Sequence, residues 1–367
     1  MTWTGLLERW GETVVLAAGG AAIGLAFGLF AQRSQFCLRA AVVEFWRGMP
    51  GQKLAVWLLA FSAAVVGVQV LALAGAMDVS GARQLATRGS ISGALAGGLI
   101  FGAGMVLTRG CASRLLVLAA QGNLRALLSG LVFAVTAQAS LAGVLAPARL
   151  GISGWWTVEG GPGRDLLATT GLGPWGGLAL GGAWLAAAVW YALRSGWGFW
   201  KWAGGAGAGL MVAAGWWFTA SVSANSFSIV PVQSLTFSGP SAEWLMRVLG
   251  TGAAPVGFDF GLLPGVVAGS FIGAWTGGSL RLEGFNGGAS MPRYIAGAML
   301  MGFGAMLAGG CAVGAGVTGG AVFALTSWLT LAGMWAGAGL TDRWLDRADA
   351  PSVPASADAA GPGMAAP

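Results

Sequence analysis

Residues 94–114 read ALAGGLIFGAGMVLTRGCASR, and residues 294–314 read YIAGAMLMGFGAMLAGGCAVG. At a constant offset of 200 they share Ala96/Ala296, Gly97/Gly297, Gly102/Gly302, Gly104/Gly304, Leu107/Leu307, Gly110/Gly310, Cys111/Cys311 and Ala112/Ala312. Each copy is a glycine-broken apolar run that ends on a cysteine. An internal repeat inside an apolar chain is the mark of a transporter built from two related halves.

The rest of the chain agrees with that reading. Of its 367 residues, 56% are hydrophobic and only 9% are charged, against about 25% charged in soluble domains. A helix needs about 20 apolar residues to cross the hydrocarbon core. Charge-free runs of that length predict nine spans, near 13–32, 54–76, 90–108, 125–146, 174–193, 200–220, 262–280, 292–308 and 321–340. The 66 glycines favour helices packed on small residues. The alternating ten-residue strands of a membrane barrel are not seen. The fold class is therefore all-α: a polytopic helical membrane protein with two pseudo-symmetric halves.

Four segments are too short or too broken by glycine to span: 36–46, 112–120, 221–250 and 312–320. They predict re-entrant half-helices, which membranes tolerate only where they line a cavity or are buried in protein. Residues 1–345 form one membrane domain, with halves near 13–150 and 174–340. The stretch 146–173 is a connecting loop with interfacial Trp155 and Trp156. Residues 346–367, rich in Ala, Pro, Gly and Asp, are an expected disordered tail. The first apolar run follows Glu8, Arg9 and Glu12, so it reads as a retained span and not a signal peptide.

A net charge of +6 raises nucleic acid as a partner. The basic residues are scattered over loops, with no basic block and no nucleic-acid motif, so they read as topology charges beside a lipid bilayer. Placing the N-terminus outside puts thirteen of the 19 Lys and Arg residues in cytoplasmic loops. That favours a cytoplasmic C-terminus.

The chain has three cysteines, Cys37, Cys111 and Cys311, and no histidine. Each stands at a predicted break between a span and a half-helix. An odd count at long spacing argues against a structural disulfide framework. The absence of histidine and of any Cys-x-x-Cys pair argues against a metal site. No cofactor motif is present. A helix start exposes unpaired N–H groups that favour an anion. A thiol is a soft, weak donor and acceptor, suited to a sulfur-containing anion. Gly110 and Gly310, just before two of the thiols, either admit a ligand and a positive φ or serve helix packing. Arg109 and Arg114 are either topology charges or attract the anion. Asn225, Ser226, Gln233, Ser234 and Thr236 either donate to the anion's oxygens or cap a short helix. Glu44, beside Arg39 and Arg47, and Glu283, beside Arg281, are either structural ion pairs or gating and proton-coupling groups.

The stretches FGAGMVLTRGCASR (101–114), GAMLAGGCAVGAG (304–316) and SLTFSGPSAEWLMRVL (234–249) resemble the YeeE/YedE family of bacterial sulfur transporters, whose studied members take up thiosulfate. The resemblance covers roughly 15–340. It implies a bacterial inner-membrane protein and not an enzyme. It also implies that Cys37 in RSQFCLRA, Cys111 in TRGCASR and Cys311 in AGGCAVG line the path of the ion. Ser113–Arg114 departs from the more glycine-rich turn of many relatives. No sulfur-carrier domain is fused to the membrane region, so a cytoplasmic carrier partner would be a separate chain. A selenium analogue as substrate, a membrane thiol-disulfide oxidoreductase and a structural membrane subunit are the other readings.

Overall fold

The computed structural model describes residues 3–49, 51–194, 196–226, 228–250, 256–285 and 290–349, with side chains in the last stretch up to Leu345. Of the expected disordered tail at 346–367, residues 346–349 are instead the end of the last helix, which continues to Asp349, and 350–367 lie outside the described residues.

The chain is a helical membrane bundle. In order, its α-helices are α1 (Trp3–Trp10), α2 (Glu12–Ser34), α3 (Leu38–Trp46), α4 (Gln52–Leu73), α5 (Arg83–Ala86), α6 (Ile91–Leu107), α7 (Ala112–Ala120), α8 (Leu124–Ala142), α9 (Ala146–Gly154), α10 (Leu166–Thr169), α11 (Gly173–Arg194), α12 (Phe199–Asn225), α13 (Ser238–Val248), α14 (Phe258–Thr276), α15 (Met291–Ala308) and α16 (Leu325–Asp349). A π-helix occupies Ala312–Gly319. Among the described residues, seven segments are long and apolar enough to cross a membrane: Glu12–Trp46, Gln52–Leu73, Ile91–Ala120, Leu124–Ala142, Gly173–Arg194, Phe258–Thr276 and Met291–Gly319. The expected spans 200–220 and 321–340 are also long helices, α12 and α16, outside those seven.

Two boundaries moved for physical reasons. Helix α14 begins four residues before the expected 262, because Asp259 sits in its first turn, where a negative charge is favoured. Helix α16 begins at Leu325, after the π-helix and a turn in which Phe323 has φ 53°. The 146–173 connection is more ordered than a loop. It holds α9, α10 and a two-residue strand, Thr157–Val158, paired antiparallel with Gly89–Ser90. Trp155 and Trp156 are exposed there.

Glycine stripes set the packing. Gly20, Gly24 and Gly28 of α2 face Phe258, Leu262 and Val266 of α14, where an added Cβ would lie 2.1–2.4 Å from their carbonyl oxygens. Gly261, Gly265 and Gly269 of α14 return the contact on Ala17, Ala21 and Leu25. The two helices thus run parallel with their backbones touching, the arrangement small residues permit where lipid gives no hydrophobic drive. Helices α6 and α15 pack equally tightly but antiparallel: Gly97 lies on Gly304, and Gly104 on Gly297.

These two helices are repeat equivalents. So are α3 and α13, which begin at Leu38 and Ser238, and α7 and the π-helix, which begin at Ala112 and Ala312. The packing follows the same relation. Helix α6 lies on α16 through Gly102 against Met334, and α15 lies on α8 through Gly302 against Phe133. Equivalent helices that run antiparallel define an inverted repeat, with its two-fold axis in the membrane plane.

Candidate functional site

Four short helices start inside the bundle, and the residues that begin them are Cys37, Cys111, Phe237 and Cys311. At the repeat offset, Cys37 pairs with Phe237 and Cys111 with Cys311. None of the four makes a side-chain capping bond to its first turn. Three other helices are capped conventionally, α6 by Ser90, α8 by Asn123 and α10 by Asp165, while α2, α4, α5, α9, α12, α14 and α15 also lack a side-chain cap from the residue before them. First-turn amides normally find a Ser, Thr, Asp or Asn oxygen. Here they meet sulfur or a ring, weak acceptors that leave the N–H groups available to an anion.

All three thiols are free and buried. The Cys37 and Cys111 thiols face each other and interact directly. Cys111 Sγ is also 3.4 Å from Ser113 Oγ. The first-turn amides of Ala40 and Arg114 face the two sulfurs without regular capping geometry. Cys311 stands at the start of the π-helix, its carbonyl accepting from the Ala315 amide at 2.8 Å. That helix packs on the irregular segment before α13. Thr318 Oγ1 donates to Leu235 O at 2.7 Å, and Gly314 lies against Thr236. The next residue, Phe237, contacts Phe27 at 5.5 Å, and Phe27 contacts Phe36 at 6.3 Å. An aromatic chain thus joins the Cys311 region to the residue before Cys37.

A cavity of about 710 Å³ opens at the bundle end where α6 starts and α15 finishes. Its walls carry Arg83, Arg88, Arg149 and Arg164, with Glu243 and Asp259, and its floor includes Thr236, Ser238 and Ala315. Arg164 is only 4% exposed. Its Nη2 donates to Thr326 Oγ1 at 2.6 Å and its Nη1 to Thr87 O, while its Nε has no partner. Burial lowers its pKa from the usual arginine value, and among the described residues no ion pair reaches it. Sequence reasoning took these arginines only as loop charges. Their convergence depends on the fold of the 83–90 and 149–164 connections, and no local motif announces it.

Gly110 and Gly310 precede the thiols as expected, but neither takes the positive φ. Arg109 (59°) and Gly309 (79°) do, one residue earlier. A left-handed residue ends the preceding helix, as at Gly309, the C-terminal cap of α15. A Cβ on Gly310 would lie 2.7 Å from the Ala315 backbone nitrogen, whereas one on Gly110 would make ordinary contacts with the Leu115 and Arg114 side chains at 3.4 and 3.7 Å. Arg109 is exposed and Arg114 half-buried. Asn225 spends its amide on Ser221 O at 2.9 Å, and Ser234 its hydroxyl on Val212 O at 2.6 Å. Gln233 donates to Asp259 Oδ2 at 3.1 Å. The last two bonds tie Ser234 to α12 and Gln233 to α14.

The two carboxylates resolve differently. Glu283 pairs with Arg281 at 3.3 Å. The Glu44 carboxylate is occupied elsewhere than on Arg39 or Arg47: its Oε2 accepts from the amides of Gly51, Lys53 and Leu54 and so caps α4. Arg47 holds Asp342 instead, through two bonds of 2.8 and 3.0 Å.

A sequence model of the family described as Sulphur transport matches residues 33–340. The thiosulfate transporter TsuA of Spirochaeta thermophila is 27% identical over 353 residues, covering 90% of this chain and 94% of that protein.

Proposed function

Because the chain belongs to the sulphur transport family, we propose that it imports thiosulfate or a closely related sulfur anion across the bacterial inner membrane. The basic cavity gathers the ion from outside. Cys311 meets it at the cavity floor, and the facing thiols of Cys37 and Cys111 receive it further in. Amides at the uncapped half-helix starts hold its oxygens, while thiol S–H groups make weak contacts to its terminal sulfur. A series of weak sites suits flux, since each must release what it binds. The protein performs no reaction on the ion, and a separate cytoplasmic sulfur-carrier protein takes it away.

Residues 1–345 act as one transport domain with halves at 13–150 and 174–340. The N-terminus lies outside and the C-terminus in the cytoplasm. The observation that carries the reading is the placement of cysteines, in place of capping residues, at three of the four half-helix starts, with an arginine-lined cavity reaching Ser238 of α13 and Ala315 of the π-helix. A bacterium lacking its own thiosulfate uptake, given this chain, should grow on thiosulfate as sole sulfur source. Growth only on sulfate, or none with the protein in the membrane, would remove thiosulfate as the substrate.

A further inference from the structure

The two ends of the inverted repeat differ in charge. Gly239, Gly309 and Gly314 of the second half correspond, at the offset of 200, to Arg39, Arg109 and Arg114 of the first. Gly239 and Gly309 line the open cavity. At the opposite end, past the C-terminus of α6, the same positions carry three guanidinium groups.

Arg109 is exposed, and the other two are half-buried. Arg39 Nε and Arg114 Nη1 are buried without a hydrogen bond. None of the three forms an ion pair among the described residues. Arg39 lies in the field of Arg109, Arg47, Asp342 and Cys37, and both Arg39 and Arg114 act on Cys37. The one acid in the group, Asp342, is already held by Arg47. Arg125, nearby in sequence, is satisfied by Thr108 O at 2.9 Å. Arg109 also sits at φ 59°, where its repeat counterpart is a glycine. An arginine there is strained relative to glycine, so the position keeps the side chain at a cost in stability. Uncompensated charge beside buried thiols is costly unless an anion completes it.

We propose that Arg39, Arg109 and Arg114 form an oxyanion gate over the Cys37–Cys111 pair, at the end of the bundle opposite the cavity. The gate binds the sulfonate-type oxygens of a divalent sulfur oxyanion while its terminal sulfur lies on the two thiols. Guanidinium forks match such oxygens. An ion with both a soft sulfur and an oxygen face satisfies the site, and sulfide, which lacks the oxygens, does not. The gate rests on the transport reading given above.

The test is site-resolved thiol protection. The full-length protein, purified in detergent, is alkylated with a maleimide over a series of sodium thiosulfate concentrations, and each cysteine is followed by peptide mass spectrometry. In the unmodified protein thiosulfate slows alkylation of Cys37, Cys111 and Cys311. In Arg39→Gln and Arg114→Gln the concentration that protects Cys37 and Cys111 rises about tenfold or more, the loss expected for a charge-assisted contact, while protection of Cys311 is unchanged. Arg109→Gly provides a variant whose backbone is relieved and not burdened. It should show the same selective loss with a raised melting temperature. Unchanged protection of Cys37 and Cys111 in all three variants overturns the gate and leaves the transport path intact. Failure of thiosulfate to protect any thiol in the unmodified protein overturns the path, and the gate with it.

Discussion

A Cβ on Gly97 would stand 2.7 Å from the Gly304 carbonyl oxygen, and one on Gly304 would stand 2.8 Å from the Gly97 carbonyl oxygen. Each glycine touches the repeat counterpart of Gly104 or Gly297, which make the reciprocal contact. The pseudo-two-fold axis therefore passes between α6 and α15. From those helices hang α7 and the π-helix, so this close crossing fixes the spacing of Cys111 and Cys311. Side chains larger than hydrogen at the crossing would separate the two half-helix starts that the thiols begin.

Cys111→Ala and Cys311→Ala are each expected to reduce thiosulfate uptake to background at unchanged membrane abundance. Both thiols are buried at uncapped helix starts, and alanine removes the only polar atom of the side chain. Serine should not rescue either position. Its harder hydroxyl is a good helix cap and would occupy the amides the ion needs. Radiolabelled uptake normalised to immunoblot signal gives the answer. Normal uptake in either alanine variant would remove that thiol from the path.

Gly310→Ala should impair uptake strongly and Gly110→Ala only weakly. The added methyl at 310 meets the Ala315 backbone at 2.7 Å, whereas at 110 it makes an ordinary contact with Leu115. Gly204 and Gly207 make poor controls, since each already abuts Phe30 within 2.7 Å. Gly130, with nothing within 4 Å, is the proper one. Equal uptake in the 110 and 310 variants would show that the π-helix start tolerates displacement.

The spans were readable because charge avoids the bilayer core, and all nine expected runs coincide with long helices. The half-helices were readable because glycine and cysteine interrupt those runs at equal offsets. The left-handed residue was misplaced by one, since Gly110 and Gly310 look like caps while the turn falls on Arg109 and Gly309. The partner of Arg47 was invisible for another reason: Asp342 is 295 positions away, and only the packing of α3 against α16, seen in Trp46 Nε1 donating to Trp335 O at 3.0 Å, brings them together. The arginine cavity is likewise a product of connections, whose paths leave no periodicity to read.

Glu44→Gln is expected to leave uptake and its pH dependence unchanged while lowering stability by about 1 kcal/mol, the usual worth of a helix cap. Its Oε2 accepts three backbone amides at the start of α4, a structural task that an amide oxygen performs less well than a carboxylate. Thermal unfolding in detergent, and uptake compared across roughly pH 5.5 to 8, separate the roles. A flattened pH profile in the variant would return Glu44 to proton coupling.

The inverted repeat makes a firm statement about sidedness. Helices α6 and α15 are antiparallel equivalents, so whatever face the start of α6 occupies, the end of α15 shares it, and the arginine cavity opens there. Arg33, Arg39, Arg47, Lys53, Arg109, Arg114 and Arg125 gather at the other ends of the first half's helices, and positive charge marks the cytoplasmic side. On that rule the cavity is expected to face outward. A periplasm-active phosphatase inserted at Gly161, a loop glycine with open space around it, should be active. The same enzyme fused after Asp346 should be silent, and a fluorescent protein that folds only in the cytoplasm should be bright there. The reverse pattern at both sites would turn the molecule over and make the cavity an exit. Activity of the phosphatase at both sites would mean that the helices between them do not alternate as nine spans.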